Sequence, residues 1–237
     1  MAGLRAASVL SSAPMRVHVE RTGTGPTVVC THGISADHHT FDRLVELLSP
    51  DHSVVTWDLP GHGDSEVSAD PADYDRDRVL RDLDDVVATT SGPLIALGHS
   101  LGGYLTLAWA ATRPGRASGL CILATGPGFR DAEKRESWNA MSRHNAHRFG
   151  VSEPVAEMNL QHDAVVIEGI ADLTMPVELL IGADDQPQLV GGMQYLAAKL
   201  PEAHLTVVDG GDHSMHEVGG AESVAAAVRR LSAQIAP

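Results

Sequence analysis

The 237-residue sequence predicts an α/β fold: a mostly parallel, twisted sheet flanked by helices, with a small helical cap inserted into it. Short β-branched runs alternate with longer amphipathic stretches, the pattern left by strands joined through crossover helices. Several strand candidates lack polar alternation, as strands covered on both faces do. With 43% hydrophobic and 20% charged residues, the chain can build a sizeable core.

Along the chain, Met1 to Pro14 carries one Arg and broken hydrophobicity, and is expected to be a flexible leader. Val17 to Glu20 and Thr27 to Thr31 are the first strand candidates, and Phe41, Leu44, Val45 and Leu48 then recur at helical spacing before the strand Ser53 to Trp57. Val79, Leu80, Leu83, Val86 and Val87 define the next helix. Its remaining positions (Asp75, Arg76, Asp77, Arg78, Arg81, Asp82, Asp84, Asp85) read as a solvated face of mixed charge. The strand Leu94 to Gly98 leads into Leu101 to Thr112, a Gly- and Ala-rich helix suited to close packing on a sheet and stopped by Arg113-Pro114-Gly115. Leu120 to Ala124 is the fifth strand. From Gly126 to Leu173 no strand pattern occurs, and polar helical stretches surround Trp138, Met141, Phe149, Val155 and Met158. This divides the chain into a core of residues 1–125 and 174–237 and a cap of residues 126–173. The strands Val177 to Ile181 and Leu205 to Val208 and the helices around Met193, Leu196, Ala197 and Leu200 and around Val224, Val228, Leu231 and Ile235 complete the alternation.

Lys plus Arg number 17 against 31 Asp plus Glu, a net charge of −14 that repels nucleic acid and anionic membrane surfaces. Three each of Trp, Tyr and Phe leave few platforms for stacking bases. Cys30 and Cys121 sit in apolar runs with no CxxC spacing and are expected to be buried free thiols. No apolar run approaches the roughly 18–20 residues that span a bilayer, so a cytoplasmic location is expected.

The chemistry-bearing signal is Gly98-His99-Ser100-Leu101-Gly102, a G-x-S-x-G run between a strand and a helix. Small residues two before and two after the serine permit a sharp, strained turn that lifts its hydroxyl above the sheet. The helix start offers the Leu101 N–H to a developing oxyanion. A second turn, Cys30-Thr31-His32-Gly33-Ile34-Ser35, follows an apolar strand and can aim the Ile34 N–H at the same point. His32 reads as a structural hydrogen-bonding residue beneath the site.

Through His32-Gly33, Asp58-Leu59-Pro60-Gly61-His62-Gly63-Asp64-Ser65 and the elbow around Ser100, the sequence resembles the α/β-hydrolase fold family over nearly its whole length. The resemblance implies a nucleophilic serine, then an acid, then a histidine in chain order. Gly182-Ala183-Asp184-Asp185 is similar to the family's G-x-x-D turn and nominates Asp185 as the acid, with Asp184 one register step away. Asp209-Gly210-Gly211-Asp212-His213 resembles the family's histidine loop and nominates His213, with His216 as the alternative. Asp212 departs from the Gly common at that place.

These residues predict a cofactor-independent serine hydrolase acting on an ester, lactone or related acyl bond. The competing readings are a carbon–carbon hydrolase or lyase using the same residues, and a ligand-binding member of the fold. Trp138, Phe129 and Met141 are the substrate-pocket candidates, with Phe149 either lining that pocket or anchoring the cap. The cap's Arg130, Lys134, Arg135, Arg143 and Arg148 read as a face of exposed ion pairs, with carboxylate recognition the alternative. The expected partner is a small-molecule acyl substrate, and the expected state a monomer or homodimer. His38-His39, His144-x-x-His147 and His213-x-x-His216 match no metal signature, so no metal site is expected.

Overall fold

The computed structural model describes residues 15–235, and the leader expected over Met1 to Pro14 lies outside them. The strands are β1 (Val19–Thr22), β2 (Thr27–Thr31), β3 (Ser53–Trp57), β4 (Leu94–His99), β5 (Gly119–Leu123), β6 (Val177–Gly182) and β7 (Ala203–Val208). They form one sheet in the order β1-β3-β2-β4-β5-β6-β7. All neighbours run parallel except β1, which pairs antiparallel with β3, Val19 opposite Trp57 and Thr22 opposite Val54.

The helices are α1 (Asp42–Leu48), α2 (Arg76–Ala88), α3 (Leu101–Thr112), α4 (Ala132–Asn145), α5 (Val165–Gly169), α6 (Pro187–Lys199) and α7 (Ala221–Ile235). Because successive strand side chains alternate faces, the central strands feed two cores. Val29, Ala96, Leu120, Ile122 and Leu179 meet Leu83, Leu105, Trp109 and Leu196 of α2, α3 and α6. Val28, Cys30, Ile95, Leu97, Cys121 and Leu180 meet Leu44, Leu48, Val224 and Val228 of α1 and α7. Cys30 and Cys121 are therefore buried free thiols, and burial pushes both thiol pKa values up.

Between β5 and β6 the described chain forms helices and turns only. Val155, Met158, Val166 and Ile170 from this stretch join the first core cluster, so its apolar side chains are buried against the sheet domain's own. Arg76 of α2 makes a bidentate pair with Asp163, Nη1 to Oδ1 at 2.6 Å and Nη2 to Oδ2 at 2.8 Å. Two parallel charge-assisted bonds fix orientation as well as distance.

The first strand begins two residues later than its apolar pattern indicated. All four of its residues are exposed, and it is held by edge pairing to β3 rather than by burial of a face. The charged side of α2 is also not uniformly solvated. Arg76 and Arg78 are 6% exposed and Asp82 2%, while Asp84 accepts from Trp109 Nε1 at 2.8 Å and from Arg113 Nε at 2.7 Å.

Burial raises the Asp82 pKa to about 6, against the pull of Arg78 at 3.6 Å. A carboxyl whose folded-state pKa lies above its unfolded value binds its proton more tightly when folded, so ionising it destabilises the fold. Asp82→Asn is accordingly expected to raise the melting temperature relative to wild type at pH 8, with the advantage shrinking as pH falls below about 6. Thermal melts of both proteins across that range check it, and a difference independent of pH contradicts it.

Candidate active site

Ser100 stands between β4 and α3 with φ 52° and ψ −117°, a positive φ that a non-glycine residue rarely adopts. The turn is possible because its neighbours lack side chains. A Cβ on Gly98 would overlap the Gly102 carbonyl oxygen, and one on Gly102 would overlap the Thr31 and His32 carbonyl oxygens at the end of β2. The His32-Gly33-Ile34 turn is thereby packed against the elbow, and a Cβ on Gly33 would lie 3.2 Å from the Ser100 Cβ. The Ser100 N–H donates to the Leu123 carbonyl at 2.9 Å, tying the elbow to β5.

The Ser100 hydroxyl lies 3.0 Å from His213 Nε2, and His213 Nδ1 lies 2.9 Å from Asp185 Oδ2. Asp185 is buried and its other oxygen accepts from the Gln186 N–H at 2.6 Å, whereas Asp184 is exposed. The turn after β6 and the histidine loop after β7 are laced together, with Ala183 N–H donating to the Val208 carbonyl and Asp184 N–H to that of Gly211, both at 2.9 Å. A Cβ on Gly182 would overlap the Gly211 carbonyl, so this close approach requires glycine there. The sequence alternatives separate clearly: the structure brings together Ser100, His213 and Asp185, and leaves Asp184 and His216 outside the relay.

His216 is fully buried, with Nε2 2.9 Å from the Thr40 hydroxyl. Its ring lies against His99, tilted by 39° at 4.0 Å between centroids, and His99 lies 4.8 Å from the His213 ring. In the sequence, His99 is only the variable position of G-x-S-x-G. Burial holds its pKa well below the ordinary value, so the ring is neutral, and its Nε2–H donates to the His213 carbonyl at 2.8 Å. Asp212 is exposed and folds back on its own loop, Oδ1 accepting from the Ser214 N–H at 2.9 Å.

His32 is buried beneath the turn, with Nε2 accepting from the Leu59 N–H at 2.9 Å and Nδ1 2.7 Å from the Gly33 carbonyl. Burial lowers its pKa to about 4, which keeps it a neutral spacer. Ile34 is buried in this turn, and Leu101 opens α3 directly after Ser100.

A cavity of about 320 Å³ opens at Ser100, walled by Leu101, Tyr104, Phe129, Trp138, Leu189 and Tyr195, with Gln161 and Gln188 among its polar groups. Among the described residues, no charged side chain lines it. Trp138 and Phe129 line this cavity, whereas Met141 does not: it is 48% exposed and off the cavity wall. The inner stripe of α4 instead carries the polar Asn139 and Ser142. Asn139 exchanges two hydrogen bonds with the Gln161 backbone, and Ser142 accepts from Asn159 Nδ2 at 3.1 Å, so apolarity was the wrong guide to that face. Phe149 packs against the core. The basic cap residues are likewise outside the cavity: Arg143 pairs with Glu157 at 3.2 Å and Arg135 caps the Phe129 and Arg130 carbonyls.

The chain is 37% identical to a pimeloyl-[acyl-carrier protein] methyl ester esterase of Xylella fastidiosa over 52% of its length, a match spanning 44% of that relative. It is 26% identical to an enzyme of the same name from Xanthomonas campestris over 92% of its length and the whole of the relative. A thermophilic esterase from Thermogutta terrifontis superposes with a TM-score of 0.79 at 20% identity, covering 96% of this chain and 97% of that one. Residues 26–149, more than half of the chain, match the family model described as alpha/beta hydrolase fold, so the chain belongs to the α/β-hydrolase fold family.

Proposed function

We propose that the protein is a cofactor-independent serine hydrolase that cleaves a carboxylic ester, lactone or related acyl bond of a small, uncharged substrate. The observation that carries this reading is the relay from Ser100 Oγ through His213 to the buried Asp185, at 3.0 and 2.9 Å, opening onto an apolar cavity of about 320 Å³ without a charged wall. Residues 126–173 act as the cap that closes this cavity, with Trp138 and Phe129 contacting the acyl or alkoxy portion. No helix of the described residues is long and apolar enough to cross a membrane, and the protein is proposed to work in the cytoplasm as a monomer or homodimer.

A serine hydroxyl is a poor nucleophile at neutral pH until an imidazole takes its proton during attack. As Ser100 Oγ bonds to the substrate carbonyl carbon, its proton passes to His213 Nε2. Asp185 holds the Nδ1–H tautomer and stabilises the imidazolium. The oxyanion accepts hydrogen bonds from the Leu101 and Ile34 N–H groups, and loss of one such donor typically costs about 2.7–4 kcal/mol of transition-state stabilisation. His213 then protonates the departing oxygen as the carbonyl-carbon bond to it breaks. Water deprotonated by the same imidazole attacks the acyl-enzyme and releases the acid, with Ser100 regaining its proton.

Intact-protein mass spectrometry after treatment with a fluorophosphonate is expected to show a single adduct on the wild type and none on Ser100→Ala. An adduct on both proteins places the activated nucleophile elsewhere. No adduct on either, together with turnover of a carbon–carbon substrate, moves the chemistry to the hydrolase or lyase reading of the same residues.

A further inference from the structure

On the sheet side of the Gly33–Thr40 loop, two histidines and two carboxylates converge that the hydrolytic site does not use. His18 precedes β1, Glu20 lies in it, His38 opens the helical turn His38–Phe41, and Asp58 follows β3. A ligand nitrogen of each of His18 and His38 and an Asp58 oxygen lie within 4.8 Å of one another. Asp58 is fully buried, with one of its oxygens 2.9 Å from His38 Nδ1. Its oxygens also accept the His38 N–H at 2.7 Å and the Asp64 N–H at 2.9 Å.

The hydrogen bond from His38 Nδ1–H to Asp58 fixes the tautomer and leaves the Nε2 lone pair directed away from the carboxylate. That nitrogen stands 3.8 Å from Glu20 Oε1, and His18 Nε2 stands 3.4 Å from the same oxygen. His18 Nε2 is shielded from solvent and makes no hydrogen bond. A tetrahedral cation with bonds of about 2.0–2.1 Å separates its ligand atoms by about 3.3 Å, and the two edges that run to Glu20 Oε1 lie near that length, at 3.4 and 3.8 Å. A carboxylate behind a ligating imidazole is the outer-shell arrangement that orients such ligands and raises their basicity.

We propose that His18 Nε2, His38 Nε2 and Glu20 Oε1 form a binding site for a zinc-type divalent cation, with Asp58 as the outer-shell partner of His38 and water completing the coordination. Two nitrogens and one carboxylate oxygen suit a borderline cation better than magnesium or calcium, which favour oxygen ligands. The bound ion joins the edge strand β1 to the loop that carries Ile34, where the rings of His18 and His38 already lie 4.7 Å apart. The sequence gives no signature for it, because positions 18, 20 and 38 follow no ligand spacing and meet only through the antiparallel pairing of β1.

The test is calorimetric titration of Zn²⁺ alone into the chelator-treated full chain near pH 7.5, with a thermal melt of the same samples. One tight equivalent and a raised melting temperature are expected for the wild type. Both should persist in His213→Ala and His144→Ala. Both should be lost in His18→Ala and Glu20→Gln, with affinity falling by more than the roughly 10–100-fold typical of an outer-shell change. Glu20 is half-exposed and its replacement leaves the buried Asp58 network in place, so that variant remains folded. The absence of a tight equivalent in the wild type, its survival in His18→Ala or Glu20→Gln, or its loss in His213→Ala overturns the proposal.

Discussion

Replacing Ser100 by alanine is expected to lower kcat on any acyl substrate by on the order of 10³- to 10⁶-fold while leaving the fold intact. The residue supplies the only hydroxyl bonded to His213 Nε2 among the described residues, so no other hydroxyl at the cavity is paired with that base. The structural cost is small. The backbone bond from Ser100 N–H to Leu123 survives, and the positive φ is imposed equally on either side chain. The lost hydroxyl contributes one hydrogen bond to a half-exposed imidazole, about 1 kcal/mol by the usual scale. Parallel measurement of steady-state kinetics and melting temperature separates the two effects. Retained turnover with the same substrate, or a collapse of stability that accounts for the lost activity, defeats the assignment.

What the sequence disclosed follows from how local each constraint is. The central strands were legible because both faces are buried, and Leu101–Thr112 was bounded correctly because its stop signal is contiguous with it. The elbow was legible because its strain demands glycine at fixed distances from Ser100. Elements whose environment comes from far along the chain were not. The edge strand β1 has no buried face and takes its limits from β3, some thirty-five residues away. Arg76 is buried because Asp163 meets it across 87 residues. His99 is neutral and bonded to the His213 carbonyl through a contact spanning 114 residues, which no property of the G-x-S-x-G pattern announces. Met141 was misplaced for a related reason: the inward face of α4 is satisfied by amide and hydroxyl hydrogen bonds from the following segment, so its apolar residues do not mark it.

The same limit of locality applied to Asp184 and Asp185, and it yields the sharpest remaining test. Asp185→Asn is expected to cost on the order of 10⁴-fold in kcat, while Asp184→Asn changes it by no more than about twofold. In the wild type, Asp185 can only accept from His213 Nδ1, so the proton stays there and Nε2 stays free to receive the serine proton. An amide in that place can turn its NH₂ toward Nδ1, which moves the imidazole proton to Nε2 and leaves the base unable to act. It also removes the charge that stabilises the imidazolium. Asp184 offers no such control, because its carboxylate is exposed and its tie to the histidine loop is the backbone bond to the Gly211 carbonyl, which an asparagine preserves. Fluorophosphonate labelling rates should follow the same ranking, since phosphonylation uses the same base. A larger loss in Asp184→Asn would falsify the assignment of the acid. Equal small losses in both would mean that His213 is oriented chiefly by its carbonyl bond from His99, and then His99→Ala should show the large deficit instead.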